Sequence, residues 1–367
     1  MIYILMFALS ILFFFLATKT KSKILKIIYI AIGIFLPCIM SALRADTVGT
    51  DMQVYIKRWF NIAEDSSSFS EYIGSVNSTE YGYLFLNYII SKIPNSFQFF
   101  LFITQLLTIL PFTIIAYKRK NINPTILMAF YLIFFYSITL NMARQSLSLS
   151  FSMLALYFML EKKNTAAILT FIISILFHSS AIIGLIIPIL YFTRNQKIHT
   201  PLFIILLILT FVFLFNFQET TNFLLNAKII PDKYIIYNSE YILEEIDIPI
   251  VKIFFYILFA LPAFFARKNI DLDKSKTSKL YTELYILGIL LVLLGSISHF
   301  ADRIGYTLLF PLLFFYLPQI CNKKNSKKYI ILVMISVSAW WIFWIGIQNV
   351  HQTMPYLVAI NHIGVLV

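Results

Sequence analysis

Apolar residues in this chain come in long blocks broken by short polar stretches, not at the spacing of a half-buried soluble helix. Blocks of this kind suit helices of about 20 residues crossing a hydrocarbon core of about 30 Å. The pattern predicts twelve crossings: 2–17, 25–43, 97–117, 124–141, 145–160, 165–178, 179–193, 201–217, 249–266, 280–298, 304–319 and 329–347. The pair 165–178 and 179–193 meets at His178-Ser179-Ser180 with almost no loop. It reads either as two steeply turned spans or as one long broken region. The stretch 81–92 is too short and too rich in Tyr to cross, and reads as an interfacial or re-entrant helix. The expectation is an all-α polytopic membrane protein forming one integral domain over 1–367, with two larger outer loops at 44–96 and 218–248.

Charge placement orients these spans. The proposed inner stretches 19–26, 118–120, 162–163, 194–197, 267–279 and 323–328 carry twenty of the 29 basic residues. Lys and Arg collect on the cytoplasmic side of membrane proteins, which puts both termini outside. Composition agrees: 60% apolar and 13% charged excludes a water-soluble globule. The net charge of +12 therefore writes topology and does not mark a nucleic-acid surface. The first apolar run is followed, not preceded, by lysines, which is the reverse of a cleavable signal peptide. Cys38 and Cys321 have no metal-ligand spacing, and no disulfide is expected between them.

This orientation gathers the chemically versatile side chains outside. Ionisable groups at membrane depth cost several kcal/mol unless they face water or a partner, so their collection at one boundary points to a single outward site. Arg144, in Asn141-Met142-Ala143-Arg144-Gln145, fits either an anchor that snorkels to the interface or a planar donor to a phosphate. His178 stands at a turn where a structural histidine or a proton carrier would both fit. His299, Asp302 and Arg303 share a face if their turn is helical. Gly49-Thr50-Asp51 followed by Tyr55 reads as turn and helix cap or as a carboxylate near a sugar. Glu80 before Tyr81-Gly82-Tyr83 has the same two readings, and Trp340, Trp341 and Trp344 read as an interfacial aromatic belt. The inner loops hold no Gly-rich phosphate motif, which argues against ATP or a nucleotide-sugar donor.

In order and spacing over roughly 45–320, these pieces resemble the Wzy-type polysaccharide polymerases, especially their EpsG-like branch. The pieces are Gly49-Thr50-Asp51 with Tyr55, Glu80-Tyr81-Gly82-Tyr83, Arg144-Gln145-Ser146-Leu147, Phe177-His178-Ser179-Ser180-Ala181, and Asp302-Arg303 with Tyr306. The resemblance implies a GT-C-like membrane glycosyltransferase bundle in a bacterial inner membrane, working on the periplasmic face. Its donor would be a glycan on undecaprenyl diphosphate and its acceptor a repeat unit on the same carrier. The product would be an O-antigen, capsule or exopolysaccharide. Partners would be these lipid-linked glycans, membrane lipids and a chain-length regulator protein, with no nucleic acid. Rival readings are an O-antigen ligase, a lipid-linked oligosaccharide flippase and a membrane acyltransferase. A flippase would carry charges deep in several spans, where this chain has almost none.

A lipid diphosphate is already an activated leaving group, so the barrier falls if fixed cations meet the charge that develops on it. Arg144 and Arg303 are the candidates for that task, with His178 and His299 as further donors or proton carriers. Asp51, Asp302 or a neutral histidine would take the acceptor proton. Tyr55, Glu80, Tyr83, Gln145 and Tyr306 are candidate substrate contacts. Two arginines can stand in for a metal, so no cofactor is expected. Polymerisation by EDTA-washed protein should therefore match untreated protein. A strict divalent-ion requirement in that assay would count against this chemistry.

Overall fold

The computed structural model describes residues 1–76, 78–228, 250–266, 275–296, 301–322, 326–360 and 363–366. Its contacts fall into two compact units, Met1–Ser179 with Cys321–Val367, and Ser180–Ile320. The first unit opens with α1 (Ile2–Lys19) and α2 (Lys23–Ala42), the latter capped by Ser22, whose hydroxyl accepts from the Leu25 amide. The segment expected outside then forms α3 (Lys57–Asp65), α4 (Phe69–Val76) and α5 (Tyr81–Ser91), the last where the short Tyr-rich helix is predicted. Next come α6 (Phe97–Lys118), α7 (Pro124–Phe130), α8 (Tyr136–Asn141), α9 (Ala143–Leu160) and α10 (Asn164–Phe177). A wider π turn over Tyr131–Phe135 joins α7 to α8.

The second unit holds α11 (Ile186–Thr193), α12 (His199–Phe215), α13 (Phe217–Asn226), α14 (Ile250–Ala266), α15 (Ser275–Val292), α16 (Tyr306–Pro311) and α17 (Leu317–Ile320). The chain returns to the first unit as α18 (Lys327–Trp341), then ends in an antiparallel hairpin, β1 (Leu357–Ile360) with β2 (Ile363–Leu366).

Among the described residues the protein is thus an all-α polytopic membrane protein, that hairpin apart, and six of the twelve expected crossings have the length and apolar character of a span. Among the described residues six helical runs are long and apolar enough to cross: Ile2–Lys19, Lys23–Ala42, Phe97–Lys118, Pro124–Asn141, Thr277–Gly295 and Lys327–Ile347. A seventh follows if His199–Phe215 and Phe217–Asn226, bent by 92°, are taken as one. Other expected spans are helical but shorter, such as Asn164–Phe177, or carry polar stripes, as α9 does. The outer loop expected at 218–248 begins within α13, and most of it lies outside the described residues.

The serines of α9 explain how it packs. Ser148, Ser152 and Ser174 are all nearly fully buried. The Ser174 hydroxyl donates to the Ser148 carbonyl at 2.8 Å and lies 2.6 Å from the Ser152 hydroxyl. Small residues let two helices approach closely, and their hydroxyls satisfy one another where no water reaches. This contact sits one turn in from Arg144 at the start of α9 and one turn in from His178 at the end of α10. It therefore fixes both at the same end of the antiparallel pair.

The tryptophans depart from expectation. Trp340 and Trp341 are buried in the protein, and the Trp341 indole donates to the Ser137 hydroxyl at 3.2 Å. An interfacial belt needs exposed rings, so these two serve the core, packed on Phe134 and on Tyr3 and Phe7. The serine contact is testable. Ser174→Leu should overpack the α9–α10 seam and destabilise the protein by about 1–3 kcal/mol, read as a lower unfolding midpoint in detergent, whereas Ser174→Ala should cost less.

Candidate active site

Glu80 lies at the entry to α5, 1% exposed, and its two carboxylate oxygens serve two different elements. Arg144 Nη1 donates to Oε2, and His178 Nε2 stands 3.6 Å from Oε1. A buried carboxylate is costly unless paired, which is why three separate chain segments converge here. Gly82 makes the approach possible. A Cβ there would lie 3.0 Å from the Leu176 carbonyl oxygen near the end of α10, too close for α5 to keep its place.

Two aromatic rings carry the Arg144 guanidinium, whose central carbon is 3.9 Å from the Tyr55 ring centre and 4.6 Å from that of Trp59. Stacking on ring faces holds the cation flat and limits its motion. Tyr83 meets both rings edge-on at 6.4 and 6.3 Å, closing the floor. Gln145 is buried beside Arg144 on the first turn of α9.

The Gly-Thr-Asp motif is anchored from the other side. Gly49 has φ +93°, and a Cβ there would come within 2.7 Å of the Leu140 carbonyl oxygen, so the turn demands glycine. Asn141 then holds the next two residues: its Oδ1 accepts from the Thr50 hydroxyl at 2.7 Å and the Asp51 amide at 2.9 Å. The Asp51 carboxylate in turn accepts from the Tyr55 hydroxyl at 2.7 Å. Burial, with the Asp51 charge next, pushes the Tyr55 phenol well above its ordinary value, so it remains a proton donor to that carboxylate. Asp51, Tyr55 and Arg144 thus form a chain, with the phenol between anion and cation.

Asn141 also brings in a residue that the motif reading missed. Its Nδ2 lies 3.2 Å from Nδ1 of buried His351, which lies beyond α18. The same C-terminal stretch takes the Gly49 amide on the Gln352 carbonyl at 2.9 Å and the Tyr3 hydroxyl on the Thr353 carbonyl at 3.0 Å. A His beyond the last span, some 200 positions from Asn141, offers no local signal. Asn141 itself stood next to a singled-out Arg and was legible only as a turn residue. Arg44, also buried, donates to the Leu140 carbonyl, and burial pulls its guanidinium below its ordinary value.

In the second unit, a short turn (Ala301–Gly305) carries Asp302 and Arg303. Asp302 is 5% exposed and accepts from the Tyr306 hydroxyl at 3.2 Å, while Arg303 is half-buried. Gly305 lets this turn lie against α15, since a Cβ there would collide with the Gly288 carbonyl at 2.4 Å. His299 lies outside the described residues. Of the candidates, Asp51, Tyr55, Glu80, Tyr83, Arg144, Gln145 and His178 gather in the first unit, and Asp302, Arg303 and Tyr306 in the second.

A family model matches residues 26–358, almost the whole chain. The chain belongs to the EpsG family. This is a family of Wzy-like membrane proteins of the polysaccharide-polymerase type. Comparison with curated proteins and with solved structures gives no match. The Gly-Thr-Asp, Glu80, Arg144 and His178 pieces all fall within the EpsG match.

The anchoring of Asp51 gives a direct test. Asn141→Leu removes the shared acceptor of the Thr50 hydroxyl and the Asp51 amide and a partner of His351, at a cost of about 1–3 kcal/mol for each buried hydrogen bond lost. Amide hydrogen exchange at Asp51 should quicken in this variant, while the α9–α10 seam stays protected.

Proposed function

We propose that this EpsG-family protein polymerises lipid-linked oligosaccharide repeat units on the outer face of a bacterial cytoplasmic membrane. In this reading both donor and acceptor are carried on undecaprenyl diphosphate, the chain crosses twelve times in a GT-C-like plan, and both termini lie outside. The observation that supports it most is the sharing of one buried carboxylate, Glu80, by Arg144 and His178. One anion set against a guanidinium and an imidazole leaves the centre electropositive whenever His178 is protonated. Such a centre suits an incoming diphosphate.

The acceptor hydroxyl attacks the anomeric carbon of the donor glycan. The bond from that carbon to the diphosphate oxygen breaks, and the electron pair leaves with the lipid diphosphate. Arg144, held flat between Glu80 and two rings, meets the charge as it appears on the leaving oxygens, with no reorganisation at the moment of reaction. Asp51 accepts the hydroxyl proton or orients its donor, and Tyr55 keeps that carboxylate in place. Tyr83 borders the sugar, and Gln145 steadies the first turn of α9. Arg303 and Tyr306 remain the proposed cation and sugar contact of the second unit.

The test uses purified full-length protein in nanodiscs with one defined undecaprenyl-diphosphate repeat unit. The expected product is a ladder of multiples, whereas a ligase would make a single transfer. Arg144→Ala should slow the ladder about 10²–10³-fold, as loss of one fixed oxyanion donor does. Arg144→Lys should not restore it, because an ammonium neither forks nor stacks as a guanidinium does. Arg303→Ala should also abolish the ladder while leaving membrane insertion intact. Normal ladders from both alanine variants would overturn the assignment.

A further inference from the structure

A second recess lies in the first unit on the far side of α3 from Arg144, a cavity of about 850 Å3. Helix α3 has two working faces. Trp59, one turn on from Tyr55, meets the Arg144 guanidinium. Lys57, Phe60, Asn61 and Glu64, spaced three, four and seven apart, line the cavity instead. Asn95, Phe97 and Gln98, at the start of α6, also line it, together with Leu357 and Ala359 of β1.

The chemistry of this lining narrows its occupant. Three carboxylates, those of Asp46, Glu64 and Asp65, face it with one ammonium, Lys57, whose Nζ is already taken by Asp46. Glu64 and Asp65 form no ion pair among the described residues. Arg44 also borders the cavity, 3% exposed and donating to the neutral Leu140 carbonyl, so the lining sets three carboxylates against two cations. That excess of negative charge disfavours a phosphate, and a lipid tail finds too many polar groups. No cluster of three His, Cys, Asp or Glu side chains among the described residues is placed to hold a metal ion. What fits is a polyhydroxylated chain. Carboxylates accept paired hydroxyls, the amides of Asn61, Asn95 and Gln98 donate and accept, and the rings of Phe60 and Phe97 offer flat apolar surface to the C–H face of a sugar. The volume lies toward the upper end of the roughly 300–1,000 Å3 found for ligand pockets, room for more than one sugar ring.

We propose that this cavity binds the glycan of the acceptor, and that its excess of carboxylates over cations favours neutral or amino sugars over acidic ones. This rests on the polymerase reading for the word acceptor. The binding of a glycan and its charge preference rest on the cavity alone.

The experiment measures binding of three lipid-free tetrasaccharides to full-length protein in nanodiscs: N-acetylglucosamine tetramer (neutral), glucosamine tetramer (cationic) and galacturonate tetramer (acidic). The neutral and cationic probes should bind at least roughly tenfold more tightly than the acidic one. Glu64→Gln with Asp65→Asn should weaken the cationic probe about tenfold and erase the discrimination against the acidic probe. A second double variant, Asn61→Ala with Gln98→Ala, should weaken the neutral probe without changing the charge preference. The proposal is overturned if none of the probes binds, if the acidic probe binds best, or if the carboxylate variant leaves all three affinities unchanged. Because binding is read without turnover, saccharide binding with no ladder would sink the polymerase reading alone. A ladder with no charge preference would sink this one alone.

Discussion

The first unit is organised around a buried carboxylate that cannot stand alone. Removing a charge from water costs several kcal/mol even after relaxation, and Glu80 is 1% exposed. Arg144 and His178 both offset that cost, so the entry to α5, the start of α9 and the end of α10 are drawn together. Everything nearby serves this convergence. Ser148, Ser152 and Ser174 bring α9 and α10 together, Gly82 lets α5 come close, and Tyr55 and Trp59 seat the guanidinium.

A second constraint arrives from the ends of the chain. Gly49 takes a conformation that costs other residues, and it is held there by the Gln352 carbonyl and the backbone at Leu140. The amide of Asn141 then reads three partners at once, two from the Gly-Thr-Asp turn and one from His351. Tyr3 binds the same C-terminal stretch at Thr353. The segments at both ends of the chain thus brace Asp51, the anion farthest from Glu80 along the Asp51–Tyr55–Arg144 chain. The Gly-Thr-Asp turn is braced by residues some 300 positions later.

Much of this was legible beforehand, for physical reasons. The apolar blocks marked helices because hydrocarbon leaves the backbone no other choice, and charge exclusion pushed Asp51, Glu80, Arg144 and His178 to one boundary. Less legible was how those residues would pair. Glu80 reads locally as a first-turn acid, and nothing in Tyr81-Gly82-Tyr83 says that its charge is spent on Arg144. Trp340 and Trp341 look like a belt because Trp has the same composition signal whether its indole finds lipid headgroups or Ser137. How the shorter apolar blocks pack was not legible either. The serines of α9 read only as interruptions of an apolar run, yet Ser148 and Ser152 are satisfied against Ser174 of α10.

The two faces of α3 meet different electrostatic environments. On one side, a guanidinium and an imidazole share one carboxylate. On the other, three carboxylates face two cations. A short helix of nine residues separates them. In the proposed polymerase reaction an anionic leaving group and a hydroxyl-rich acceptor would have opposing needs, and one undivided pocket would serve both badly. Carboxylates beside the leaving group would raise the energy of the charge appearing there, while arginines beside the acceptor would compete for its diphosphate. Placing the carboxylates and the cation on opposite faces of a single rigid helix meets both needs, and it ties the spacing between them to helix geometry, independent of loop conformation.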